Sequence, residues 1–349
     1  MEYKNEVAAI RPWVCIMVSR RLLMVLASLA TTAVHAAPLV IAHRGASGYL
    51  PEHTLEAKAL AHAQEADFIE QDVVLTKDDV PVVLHDTHLD AVSDVAAVYA
   101  GRSRDDGRFY AIDFTLDELR RLRFSERRDP KTGKQVFPGR AAPAADALFR
   151  IATLDEELAH LEGLNRSTGR QTGIYPEIKQ PAWHRREGHD VSPIVLDVLR
   201  RHGFSTKADA CFLQCFDAEE VRRLRTELGW EGRLVQLVGE APQGASGDPL
   251  LAPGALASLA QTVDGIGPPI GRVVDTSGQA TGFVAAAHAA GLVVHPYTFH
   301  VDQLPAFADS PDTALRILFD TAGIDGLFSD FPDVCMIWLR DHPPALQRR

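Results

Sequence analysis

The chain has 349 residues, 46% hydrophobic and 24% charged, with a formal net charge of −11. That length suits one α/β barrel, which runs to about 250 residues and more with insertions. The acidic balance argues against a nucleic-acid partner, because a diffuse negative field repels phosphate backbones. A small phosphate ester can still bind where local cations or a metal ion meet it.

Residues 20–36, RRLLMVLASLATTAVHA, read as an export signal outside the fold. Arg20 and Arg21 form a basic start, Leu22 to Val34 an apolar stretch, and Val34-His35-Ala36 a cut site, with cleavage expected after Ala36 or Ala37. The stretch is shorter than the roughly 20 residues that cross a bilayer. No stable membrane insertion is therefore expected after cleavage. Met17 would start a conventional signal, which makes residues 1–16 an upstream extension. Of the four cysteines, Cys15 lies in that extension. Cys211 and Cys215, in the strand-like CFLQC, would stand about 13 Å apart, too far for a disulfide. With Cys335 they read as small core residues.

From residue 38 to about 340 the pattern alternates strand and helix. Apolar β-type runs occur at 39–45, 68–75, 173–179, 211–217, 233–239, 265–270, 292–299 and 326–332. Helical segments lie between them; in the first, Leu55, Ala59, Leu60 and Ala63 form the expected buried stripe. Eight strands alternating with helices predict a closed parallel (β/α)8 TIM barrel. A doubly wound open sheet is the alternative, but HRGASG is not the dinucleotide fingerprint GxGxxG. The rhythm breaks after PVVLHD (81–86). Residues 87–150 are too long for a bare loop and predict a small inserted subdomain on the active-site face.

The unusual polar residues gather at the strands' C-terminal ends. Glu70 and Asp72 are spaced i, i+2, so both leave one face of a strand. Glu177 and Lys179 share a face of the next parallel strand. Side-by-side carboxylates repel when buried, and a cation resolves the conflict. Three oxygen donors without a His/Cys set suit a hard ion, Ca²⁺ or Mg²⁺; pairing with Arg44 and Lys179 in a structural ion network is the other reading. His43 and His85 each follow an apolar strand, and an imidazole can take or give a proton near neutral pH. Arg44 and Lys179 are candidate phosphate contacts.

These stretches together, HRGASGYLPEHTLEA, FIEQDVVLTKDDVPVVLHD, GIYPEIK, LQCFD, DGIGP, VVHPYT and GLFSDFPD, resemble the glycerophosphodiester phosphodiesterases, most closely the exported bacterial branch. The resemblance runs from residue 38 to about 335. It implies a metal-dependent barrel in the periplasm that splits glycerophosphodiesters into sn-glycerol 3-phosphate and an alcohol. It implies His43 and His85 as the general acid/base pair, and Glu70, Asp72 and Glu177 as ligands of one divalent cation, Ca²⁺ ahead of Mg²⁺. Arg44 and Lys179 look like the phosphate contacts, and Glu52 like a support of the first loop. Attack by a glycerol hydroxyl through a cyclic phosphate and direct attack by water both remain open. In the opening turn, Gly45 and Gly48 are expected to permit positive φ, Thr54 to cap the first helix, and His53 to be structural. A membrane-lipid phospholipase and a non-catalytic binding protein are the competing classes. The first would need an apolar or cationic rim, and the second two lobes about a hinge.

Overall fold

The computed structural model describes residues 37–140, 148–240 and 248–343. The expected export signal and Cys15 lie outside the described residues, as do residues 241–247 of the loop after the fifth expected strand. Among the described residues, nine strands form one sheet: β1 (Leu39–Ala42), β2 (Phe68–Leu75), β3 (Pro81–Val83), β4 (Gly173–Ile178), β5 (Phe212–Cys215), β6 (Arg233–Leu237), β7 (Gly265–Gly267), β8 (Val293–Val294) and β9 (Gly326–Ser329). Eight are parallel in the order β8-β7-β6-β5-β4-β2-β1-β9, and β3 turns back antiparallel on β2. Asp325 N–H donates to Val294 O at 3.0 Å and Phe328 N–H to Pro296 O at 3.1 Å, which brings β9 against β8 and closes the ring. The architecture is a (β/α)8 barrel.

Strand parity builds the interior. Ile41, Phe68, Tyr175, Phe212, Val235 and Phe328 fill the barrel as an aromatic-rich cluster. Glu70 and Asp72 follow Phe68 at two-residue steps, and Glu177 follows Tyr175, so the interior face turns polar toward the strand ends. The alternate residues Ile69, Val73, Ile174, Ile178, Leu213 and Cys215 face outward into the layer of helices. Cys211, Cys215 and Cys335 are buried free thiols.

The helices start where side chains satisfy the first amides. Thr54 accepts from Ala57 N–H ahead of the helix Leu55–Ala63, Thr153 and Glu156 form a capping box on Leu154–Thr168, and Asp217 accepts from Glu219 and Glu220 ahead of Ala218–Thr226. The first helix corrects the expected stripe. Its buried residues are Ala57, Lys58, Ala61 and His62. Lys58 is fully buried because Glu157 of the neighbouring helix waits there, with Nζ 3.0 Å from Oε1. A charge pair, not apolar periodicity, sets that face.

The segment between β3 and Thr153 holds two four-residue helices, Val95–Val98 and Leu116–Leu119, and a second core. Leu89, Val92, Phe114, Leu119, Leu122 and Phe124 pack there against Val74 and Val82 of the sheet. Among the described residues, no helix is long and apolar enough to cross a membrane.

Candidate active site

The strand ends open on a cavity of about 260 Å³. It is lined by His43, Arg44, Glu52, Glu70, Asp72, His85, Glu177 and Lys179, together with Gln214, Asp330 and residues of the inserted segment. The structure therefore brings together every residue singled out as catalytic, phosphate-contacting or metal-ligating.

The register explains the carboxylates. Asp72 lies opposite Glu177 across β2 and β4, and Glu70 sits one interior step below Asp72. One oxygen from each falls within 4.8 Å of the others. Gln214 Nε2 donates to Glu70 Oε1 at 3.3 Å, and the Arg44 amide donates to Glu70 Oε2 at 2.8 Å. That amide is aimed by an uncommon backbone: Arg44 has φ 58°, followed by Gly45 at φ 89°. Gly48 is needed for another reason. Its φ is not positive, but a Cβ there would meet the Phe331 ring at 2.4 Å. Lys179 Nζ lies 2.9 Å from Glu177 Oε1 and 3.5 Å from Asp72 Oδ1.

Three buried carboxylates against two nearby cations leave excess negative charge. Burial, and then Asp72, push Glu70 well above the usual carboxylate range. Burial pushes Glu177 up to about 8 against the pull of Lys179. Burial also acts on Asp72, but Lys179, His85 and the His53 bond outweigh it and hold that acid well below its ordinary value. Asp72 Oδ1 is buried with no hydrogen-bond donor. A hard divalent cation fits this set: it would satisfy the orphaned oxygen and let all three acids ionise.

Each histidine is gripped by an aspartate on one ring nitrogen. His43 Nδ1 lies 2.6 Å from Asp330 Oδ1, and His85 Nδ1 lies 2.8 Å from Asp86 Oδ1. A carboxylate at Nδ1 favours the tautomer with its proton there, leaving Nε2 free. The Nε2 of His43 is 3.8 Å from Glu70 Oε2. Burial, and then Arg44, lower His43 to about 4 and also lower His85. An anionic phosphate arriving beside them opposes that shift.

Glu52 holds Arg44 Nη1 at 2.8 Å and Arg127 Nη2 at 2.6 Å. His53 is buried behind the cavity, with Nε2 2.8 Å from Asp72 Oδ2 and Nδ1 3.3 Å from Lys58 Nζ. It supports a carboxylate and does not line the cavity. Sequence reasoning gave no partner role to Asp330 or Asp86 and missed Arg127, Arg140 and Glu126 altogether. Asp86 follows His85 directly and Asp330 ends a strand, so those two carried a signal. The inserted residues carried none.

The closed barrel and its polar mouth define a (β/α)8-barrel enzyme. Comparison with known proteins gives the family. The model of the glycerophosphoryl diester phosphodiesterase family matches residues 43–334, and the chain belongs to that family. It is 40% identical over 338 residues to a glycerophosphodiester phosphodiesterase of Haemophilus influenzae, covering 90% of this chain and 93% of that one. It is 34% identical to one of Treponema pallidum, covering 85% and 90%. Two solved structures share the fold. A glycerophosphodiester phosphodiesterase from Agrobacterium tumefaciens has a TM-score of 0.57 at 21% identity, covering 86% of this chain and 99% of that one. An Oleispira antarctica phosphodiesterase, solved with its product sn-glycerol-3-phosphate, has a TM-score of 0.58 at 22% identity, covering 87% and 97%.

Proposed function

We propose that this enzyme hydrolyses glycerophosphodiesters to sn-glycerol 3-phosphate and an alcohol, using one divalent cation and two histidines. One observation carries the reading: three convergent carboxylates and two aspartate-held histidines face a single cavity that Arg44 and Lys179 also line. Glu70, Asp72 and Glu177 are the ligands, and Ca²⁺ is preferred over Mg²⁺. When bound, the ion supplies charge neutralisation at the phosphate and acidifies a neighbouring hydroxyl.

The chain's own residues do the rest. Arg44 and Lys179 bind the phosphoryl oxygens and orient them. The free Nε2 of one histidine accepts the proton of the attacking glycerol hydroxyl. The other histidine delivers a proton to the departing alkoxide. The cyclic phosphate so formed is opened by water with the roles reversed. The basic and then apolar residues 20–36 support export and action in the periplasm.

The test is release of sn-glycerol 3-phosphate from glycerophosphocholine by the purified protein. Phosphorus NMR watches for the cyclic ester. His43→Ala and His85→Ala are each expected to cut kcat by about 10²–10⁴. Near-full turnover in either variant would end the acid/base assignment.

A further inference from the structure

We propose that the inserted segment is a working part of the active site, because it supplies the arginines that position both histidines. Arg127 and Arg140 come from its later half. Each docks on the carboxylate oxygen that the histidine leaves free. Asp86 binds His85 through Oδ1 and Arg127 Nη1 through Oδ2 at 2.6 Å. Asp330 binds His43 through Oδ1 and Arg140 Nη2 through Oδ2 at 2.7 Å. Two His–Asp–Arg relays thus run from one insertion to the two histidines of the cavity.

Each guanidinium is fixed from behind, which a stray surface pair would not require. Arg127 also makes a two-point contact with Glu52, Nη2 to Oε1 at 2.6 Å and Nε to Oε2 at 2.9 Å, and Glu52 in turn holds Arg44. Arg140 is buried, with its Nε 2.8 Å from Asp302 Oδ2 and its guanidinium 3.7 Å from the centre of the Phe137 ring. With both oxygens engaged, each carboxylate is held against rotation, and the imidazole plane is set with it; at Asp330 the second oxygen is shared, with His300 Nδ1 at 2.8 Å beside Arg140. Arg104 shows what a plain tether looks like. It ties the insertion to Glu187 on the barrel and is not among the residues that line the cavity. Arg127 and Arg140 are positioning residues, and the inference rests on the acid/base reading of His43 and His85.

The experiment uses the full chain with its metal. Arg127→Met, Arg140→Met and their Lys counterparts are compared with Arg104→Met as the tether control. kcat and KM are measured on glycerophosphocholine and on glycerol 4-nitrophenyl phosphate, whose leaving group needs no protonation. Both Met variants should lose about 10- to 100-fold in kcat, as expected when outer partners of a site histidine go, with KM little changed and Arg140→Met at the lower end, because His300 still holds Asp330 Oδ2. The variant on the acid's side should lose more on the choline ester, and the other should lose equally on both. The Lys variants should recover part of kcat. If Arg140→Met does not fold, Asp302→Asn, which removes only the outer anchor, should show a weaker loss of the same kind. Met variants that match Arg104→Met in kcat on both esters would overturn the inference while His43→Ala and His85→Ala stay inactive. Active His→Ala variants would instead overturn the reading beneath it.

Discussion

Asp330→Asn isolates one relay. The carboxylate accepts from His43 at 2.6 Å, Arg140 at 2.7 Å and His300 at 2.8 Å, and it is almost fully buried. Asparagine keeps the shape and removes the charge. A hydrogen bond to a charged group is worth about 1.5–3 kcal/mol. At about 1.36 kcal/mol per tenfold, its loss in the transition state lowers kcat by roughly 10- to 150-fold. If the amide turns its N–H₂ toward Nδ1, the imidazole proton moves to Nε2, and the loss deepens toward about 10⁴. The assay is kcat for sn-glycerol 3-phosphate release beside a thermal unfolding curve. The Arg140–Asp302 pair remains, so the fold is expected to hold. A folded variant with kcat within about threefold of the parent would refute the orienting role, since that is under 1 kcal/mol.

Other residues give independent checks. Lys58→Met leaves Glu157 buried and uncompensated, so urea unfolding should show a loss of about 3–5 kcal/mol. The double change Lys58→Met with Glu157→Leu should recover most of it. Glu126 is buried beside the cavity, and burial, opposed by Arg140, pushes it up to about 7. The folded protein keeps a proton that the unfolded chain sheds above its ordinary value of 4.5, so this group's contribution to stability falls as pH rises from there to about 7. Glu126→Gln should therefore raise Tm at pH 8 and leave it unchanged at pH 5; an equal rise at both would contradict the argument.

What the sequence showed and what it hid follow from the range of the signals. Parity along a strand is local, so Glu70 and Asp72 could be placed on one face, and Glu177 with Lys179 on another, before any register was known. The (β/α)8 barrel followed from the alternation of apolar runs. The antiparallel β3 and the closure through short β8 lay below that resolution. Lys58 was hidden because periodicity treats lysine as a mark of solvent, whereas here Glu157, 99 positions later, makes burial tolerable. Gly48 looked like a turn glycine, but the Phe331 ring decides it. Arg127 and Arg140 sit in a segment without regular period. Their partners Glu52 and Asp330 lie 75 and 190 residues away, and only the folded chain relates them.

The most direct test of the account is a metal add-back assay. The purified protein is stripped with chelator, and release of sn-glycerol 3-phosphate from glycerophosphocholine is followed as Ca²⁺ is returned. The account predicts loss of turnover on stripping, recovery with Ca²⁺, and no recovery in Glu177→Gln. Full turnover in the stripped protein, or a Glu177→Gln variant as active as the parent, would contradict it.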